Sequence, residues 1–441
     1  MVERRLRAML PALGRALRHR NYRLFFAGQG ISLVGSWLTR VATSWLVYRL
    51  TGSALLLGLV AFASQIPTFA LSPFAGVLVD RWNRHRILVV TQVVAMVQSA
   101  LLAAFALSGT ITVAHVFALS ILQGLVNALD MPARQSFVVE MVESRENLPN
   151  AIALNSSLVN SARLIGPSVG GVLIAAFGEG WCFAIDAVSY LAVIASLLAM
   201  RVVPRPRQAS RAHVLAELRA GAAYVARFAP IRAILLLLAL VSFTGVPYIV
   251  LTPIFAAEVL GGGPHTLGLL MATSGVGALC GALWLASRKT VLGLGKTLVI
   301  TSSVLGAGLI GYALSQWVWL SLVFLLAIGA GMVISMGASN TILQTVVDED
   351  KRGRVMGFYA MAFFGMAPFG SLAAGALAER FGAPATVLGC GVATLFGTAL
   401  FARKLPELRR LVRPIYQRLG ILPEIAEGLR QTSAMSAPTD Q

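Results

Sequence analysis

The sequence predicts an all-α polytopic membrane protein with twelve transmembrane helices in two pseudo-symmetric halves of six. Three observations carry that expectation. Of the 441 residues, 57% are hydrophobic and 12% charged, whereas soluble domains carry about 25% charged residues; the mean hydropathy is +0.77. Apolar runs recur along the chain, each near the ~20 residues that cross a bilayer, with six on either side of a polar stretch. The chain also repeats itself weakly. Gly166 to Leu173 resembles Gly370 to Leu377, and Val142 to Asn150 resembles Val347 to Val355. The shift is roughly 205 residues, as expected of two six-helix halves related by an axis along the membrane normal.

The net charge of +18 would point to nucleic acid in a soluble protein. Here the basic residues gather at helix ends and in a few loops, so the expected partner is anionic lipid of the inner leaflet and no nucleic acid. With twelve spans, Arg81, Arg84, Arg86, Arg205, Arg207, Arg211, Arg288, Lys289, Lys351, Arg352, Arg403 and Lys404 fall on one side. The positive-inside rule then makes both termini cytoplasmic. Cys182, Cys280 and Cys390 are far apart in apolar surroundings, without metal or redox spacing. No phosphate-binding G-x-x-x-x-G-K-[ST], no H-E-x-x-H and no nucleophile elbow occurs, and the five histidines are scattered. An enzyme is therefore not expected, nor a metal or cofactor.

In chain order, residues 1–23 are basic, with apolar residues at three- and four-residue spacing. They read as an amphipathic cytoplasmic surface helix, because the apolar run that follows is too long for a signal peptide. The first six-helix bundle spans 24–200. Its first span carries Arg40; a charge in a span costs ~2.5–3.5 kcal/mol on insertion scales, so it is expected to face the interior or a cavity, or to snorkel to the outer interface. Between the second and third spans lies a short charged loop with Gly76, Asp80, Arg81, Arg84 and Arg86. The fourth span holds Gln123, Gly124, Asn127 and Asp130, and Arg134 follows at i+4 from Asp130, on the same helix face. The fifth holds Asn155, Arg163 near mid-membrane, and Gly166-Pro167 followed by Gly170-Gly171. Small residues there allow close helix contact, and the proline bends the helix and frees a carbonyl. Asp186 lies near the outer end of the sixth span. It is open to pairing with Arg40 or Arg163, to carrying a proton, or to simple solvation at the interface. Residues 201–230 read as a cytoplasmic linker. A second bundle occupies 231–403, with Asn340 on its fourth span. Residues 404–441 form a basic and then polar tail, read as a surface helix followed by disorder.

Gly76, Leu78, Asp80, Arg81, Arg84 and Arg86 resemble the G-x-L-x-D-R-x-x-R-x-R loop between helices two and three of the major facilitator superfamily, with Asn83 where glycine is frequent. Gln123-Gly124 is similar to the end of that family's fourth-helix R-x-x-Q-G motif, with Ser120 in place of the arginine. Gly166-Pro-x-x-Gly-Gly resembles its antiporter motif, with Ala162 for the first glycine. Arg20-Asn-Tyr-Arg-Leu-Phe, Leu129-Asp-Met-Pro-Ala-Arg-Gln-Ser-Phe, Leu148-Pro-Asn-Ala-Ile-Ala-Leu-Asn and Arg352-Gly-Arg-Val-Met-Gly are similar to a bacterial branch of siderophore exporters and macrolide or multidrug efflux pumps. The resemblance implies a secondary active transporter of the bacterial inner membrane. It would export a siderophore or drug-like compound by alternating access and proton antiport, without a cofactor beyond the proton gradient, as a monomer. It also implies that Asp80, Arg84 and Asp130 hold an inner gate. Arg40, Asn127, Asn155, Arg163 and Asn340 are candidates to face a midplane cavity, and which acid carries the proton stays open. A small-metabolite importer and a non-transporting receptor or scaffold on the same bundle are the alternatives.

Overall fold

The computed structural model describes residues 15–142, 145–201, 214–288 and 290–421. The expected surface helix before residue 15, most of the linker before residue 214 and the end of the tail after residue 421 lie outside these. So do the side chains of Gly76, Asp80 and Arg81, although their backbone is helical.

Among the described residues, twelve long helices follow one another. In the first half they are α1 (Arg20–Thr51), α2 (Ala54–Arg81), α3 (Arg84–Leu107), α4 (Val113–Met141), α5 (Leu148–Phe177) and α6 (Glu179–Leu198). In the second they are α7 (Ala229–Val259), α8 (Pro264–Ser287), α9 (Leu294–Leu314), α10 (Val318–Val346), α11 (Lys351–Phe381) and α12 (Ala383–Arg418). A linker helix, Val214–Arg227, joins the halves. From α2 to α12 the helices are long and apolar enough to cross a membrane. α1 is the twelfth span. Its 32 residues reach about 48 Å at 1.5 Å per residue, and Arg20, Arg23, Arg40 and Arg49 lower its hydropathy.

Local chemistry places the ends. The Ser53 hydroxyl accepts from the Leu56 amide and starts α2, and the Asn83 side chain accepts from the Arg86 amide and starts α3. Thr112 and His115 close a capping box at the start of α4. The turns from α5 to α6 and from α11 to α12 are made by Gly178 and Gly382, with φ +85° and +84°. A side chain at either would strain the backbone. That these turns recur 204 residues apart is the internal repeat in three dimensions.

Within the first half α1 packs on α5 and α6, α2 on α4, and α3 on α4 and α6; within the second, α8 packs on α10, and α9 on α10 and α12. Two seams join the halves, α5 with α8 and α2 with α11. Each is a glycine crossing. A Cβ on Gly171 would lie 2.9 Å from the Gly268 Cα, and one on Gly58 would lie 3.0 Å from the Gly375 Cα. Lipid tails are as apolar as leucine, so such helices are held by close van der Waals packing, which small residues permit.

Both crossings sit toward the side away from the linker. Hydrogen bonds joining the halves there run from the Ser53 hydroxyl and Leu55 amide to Glu379, each 3.0 Å, and from the Tyr48 hydroxyl to Glu258, 3.1 Å. Toward the linker side the described seams reach Gly275 against the Arg163 carbonyl and Phe69 against Phe369 and Gly365.

α12 extends the expected boundary near residue 403. It continues unbroken to Arg418, because Leu408 and Val412 are buried on the main hydrophobic cluster with Leu405, Ile415 and Tyr416 beside them. The apolar spacing continues past the membrane, with the arginines on the other side of the helix. At the opposite terminus the described residues begin with a short 3-10 turn, Arg15–Arg18. It is docked by the Ala16 amide on the Asn150 side chain (2.9 Å), and Tyr22 donates to the Ala151 carbonyl (2.7 Å).

Candidate functional site

Among the polar side chains within the described bundle, those of the sequence-predicted sites fall at the linker side, at mid-membrane and around Asp186. At the linker side only Trp82 and Asn83 separate α2 from α3, so the charged loop is a tight hairpin. Arg84 is 6% exposed and donates to Glu140 on α4 at 2.9 Å. Arg86 is exposed. Asp130, 4% exposed, pairs with Arg134 one turn along α4 and accepts from Thr91 (3.0 Å) and Gln92 (2.8 Å) on α3. The i,i+4 spacing thus brings Asp130 and Arg134 together. Arg84 reaches Glu140, a partner that nothing in the local sequence marks, since 56 residues separate them.

The Gly166-Pro167 and Gly170-Gly171 stretch works as a two-sided small face. Gly166 lies directly against Trp37, and a Cβ on Gly170 would meet Leu38 at 3.3 Å, so this side packs α5 on α1. The other side meets the second half: a Cβ on Gly268 would lie 2.5 Å from the Pro167 carbonyl, and Gly171 crosses Gly268. A proline within a helix leaves the carbonyl four residues earlier without its helical donor. That carbonyl belongs to Arg163, and a Cβ on Gly275 of α8 would lie 3.1 Å from it.

At mid-membrane Trp37 carries two arginines. The Arg40 guanidinium carbon is 4.6 Å from the indole centroid and that of Arg163 is 6.0 Å from it, both within cation–π range. Arg40 is exposed and Arg163 half-buried, the two within electrostatic reach of each other. Across the α5–α8 seam, Tyr248 on α7 lies within reach of Arg163 and shares a short hydroxyl–hydroxyl contact with Ser274 on α8.

Asp186 is separate from this pair. It is 1% exposed, so it is not solvated at the interface. Thr39 of α1 and Ser99 of α3 donate to one carboxylate oxygen at 2.7 and 2.8 Å. The other oxygen is buried without a hydrogen-bond partner, and a Cβ on Gly35 would come within 2.7 Å of it. Glycine at 35 is what leaves room for the carboxyl.

The remaining candidates are dispersed. Asn127 accepts from Gln123 at 3.1 Å on α4, Asn340 from Gln344 at 2.6 Å on α10, and Asn155 is half-buried on α5. Sequence reading missed Trp37, Tyr248 and Glu140. Trp37 had a signal, standing one turn from an intramembrane arginine. Among the described residues no group of His, Cys, Asp and Glu could hold a metal ion.

A family profile described as transmembrane secretion effector matches residues 14–420. The chain is 26% identical to the staphyloferrin A transporter of Staphylococcus aureus, covering 86% of this chain and 94% of that one. It is 26% identical to the multidrug efflux pump Tap of Mycolicibacterium fortuitum, over 86% and 93%, and 27% identical to the enterobactin exporter EntS of Shigella boydii, over 89% and 93%. The fold matches a solved bacterial homologue of the human lysosomal transporter Spinster in an inward-facing, occupied conformation. There the TM-score is 0.69 at 14% identity, over 90% of this chain and 98% of that one. It also matches the nucleoside transporter NupG, with a TM-score of 0.67 at 14% identity, over 89% and 99%. With two six-helix halves joined by paired seams and a profile match over nearly its whole length, the chain is a multi-pass membrane transporter, not an enzyme, and belongs to the transmembrane secretion effector family of the major facilitator superfamily.

Proposed function

We propose that this transporter exports a small molecule, a siderophore or a drug-like compound, by alternating access of its two halves, with protons moving the other way. The single observation that carries the reading is the pair of glycine crossings, Gly171 on Gly268 and Gly58 on Gly375, that close both seams on the side away from the linker. Rocking of one half on the other would break these contacts and form new ones at the linker side, the end of the first half that carries the Asp80 loop and the Arg84–Glu140 pair. Asp80, Arg84 and Asp130 hold the gate in this reading. The basic loops make the linker side cytoplasmic, so the state described is one that loads from the cytoplasm of a bacterial cell, and one copy suffices.

The test is proton flux in energised inside-out vesicles. Siderophores, macrolides and cationic dyes are added in turn. Substrate-dependent collapse of the pH gradient, reduced in Asp80→Asn, is the expected result. Uptake of labelled substrate by intact cells would reverse the direction assigned. Binding without flux in proteoliposomes would replace transport by a receptor role.

A further inference from the structure

We infer that the centre of the bundle is a site for an anionic small molecule, held between Arg40 and Arg163 with the Trp37 ring as its floor. The inference rests on the export reading and narrows its substrate class.

The argument is one of uncompensated charge. Arg40 on α1 and Arg163 on α5 lie over one indole, 4.6 and 6.0 Å from its centroid. Neither guanidinium has a hydrogen bond or ion pair with a described residue. Among the described residues, the buried acids of the same half are otherwise engaged: Asp186 accepts from Thr39 and Ser99, Asp130 binds Arg134, and Glu179 binds Arg49 at 2.8 Å. Thr39 and Arg40 are neighbours, but successive helix positions point about 100° apart, so the hydroxyl turns into the half while the guanidinium turns out of it. Two like charges within reach repel each other in a medium of low dielectric constant. Among the described residues neither guanidinium has a counter-charge, and an anion bound between them would supply one.

The geometry also favours one kind of anion. A guanidinium stacked on a ring keeps its N–H fork free in its own plane, and that fork matches a carboxylate bidentately. Two guanidinium forks beside one aromatic ring suit a ligand with two or more carboxylates, or a carboxylated aromatic. The site borders the seam between the halves. Arg163 is carried by the helix that crosses α8 at Gly275, and Tyr248 stands opposite on α7. An anion bound there lies beside the seam and would sense rocking of the halves.

The experiment uses the full chain in phosphatidylcholine nanodiscs, which offer no anionic headgroup. Binding of 5-carboxyfluorescein and of ethidium is followed by fluorescence anisotropy in the wild type and in Arg40→Gln, Arg163→Gln and the corresponding lysine variants. The carboxylate dye is expected to bind, and each glutamine variant to weaken it roughly tenfold or more, as loss of a charge-assisted hydrogen bond does. The lysine variants should recover part of the loss, since they keep the charge without the fork. Ethidium should bind no better to the wild type than to the glutamine variants. Removing a charge from a span lowers the cost of insertion, so these variants should fold, and melting curves check that they do. Preference of the wild type for ethidium, unchanged carboxyfluorescein binding in both glutamine variants, or no binding of the carboxylate dye at all would overturn the inference. Counterflow of both dyes in proteoliposomes separates it from the export reading. Anion binding without flux keeps the site and removes export. Flux of ethidium without anion binding keeps export and removes the site.

Discussion

The two halves share a topology and differ in what they bury. The first half buries charge: Arg84, Asp130, Glu179 and Asp186 are all below a tenth exposed. The second half, among its described residues, buries hydroxyls instead, with Thr301, Ser302 and Ser335 in one cluster and Thr244 bonded to Thr394 in another. Where they meet, the halves are alike again, in matching glycine crossings. The division teaches that the repeat preserves the close contact that both sides of each seam must make, while buried charge is concentrated in one half.

The sharpest way to break this comparison is at Asp130. Asp130→Ala strands the Arg134 guanidinium and removes the acceptor of Thr91 and Gln92. Breaking a buried pair by deleting one partner costs ~3–5 kcal/mol. The expected outcome is a large fall in melting temperature and in the yield of folded protein. A melting curve unchanged from wild type would mean that the first half does not depend on its buried charges.

The seams test the symmetric part. Gly171→Val and Gly58→Val each push side-chain atoms into a facing backbone, Gly268 in one case and Gly375 in the other. Overpacking costs ~1–3 kcal/mol. Because each crossing lies on the side away from the linker, both variants should bias the protein toward opening there. Labelling of a cysteine introduced at Ser53 is the readout, against a background in which Cys182, Cys280 and Cys390 are replaced by serine. Equal increases in labelling are expected; a response in one variant alone would show that the seams are not equivalent.

Much of this organisation was legible in the chain. Hydropathy gave the spans, and the repeat from Gly166 to Leu173 and from Gly370 to Leu377 contains Gly171 and Gly375, one glycine of each seam. The i,i+4 spacing gave the Asp130–Arg134 pair. What was not legible depends on contacts between distant segments. Arg84 finds Glu140 across 56 residues, Asp186 finds Thr39 across 147, and Trp37 gathers Arg163 from another helix. A hydropathy pattern says that a helix crosses the membrane but only weakly how it is rotated, and rotation decides which polar side chains meet. α12 shows the same limit at a boundary: the apolar run ends near the membrane surface, while packing of Leu408 and Val412 carries the helix on to Arg418.

The finest test compares two threonines in like surroundings. Thr39 donates to the Asp186 carboxylate at 2.7 Å, and Thr301 shares its hydroxyl with Ser335 at 2.8 Å and with the Thr297 carbonyl at 2.9 Å. Valine keeps the shape and the β-branch at both positions, so the measured difference is that of the hydroxyl alone. A hydrogen bond to a charged group contributes about 1.5–3 kcal/mol. Interhelical bonds between neutral groups in a membrane average about 0.6 kcal/mol, because the unfolded chain finds other partners. Thr39→Val should therefore lower the melting temperature several times more than Thr301→Val, whose loss the Ser302–Ser335 contact, 3.3 Å, partly makes good. Equal, small shifts would mean that Asp186 is held as a neutral acid in the folded protein. The contrast between the halves would then be one of proton-carrying capacity and not of stored charge, and Asp186 would be the first residue to examine for proton coupling.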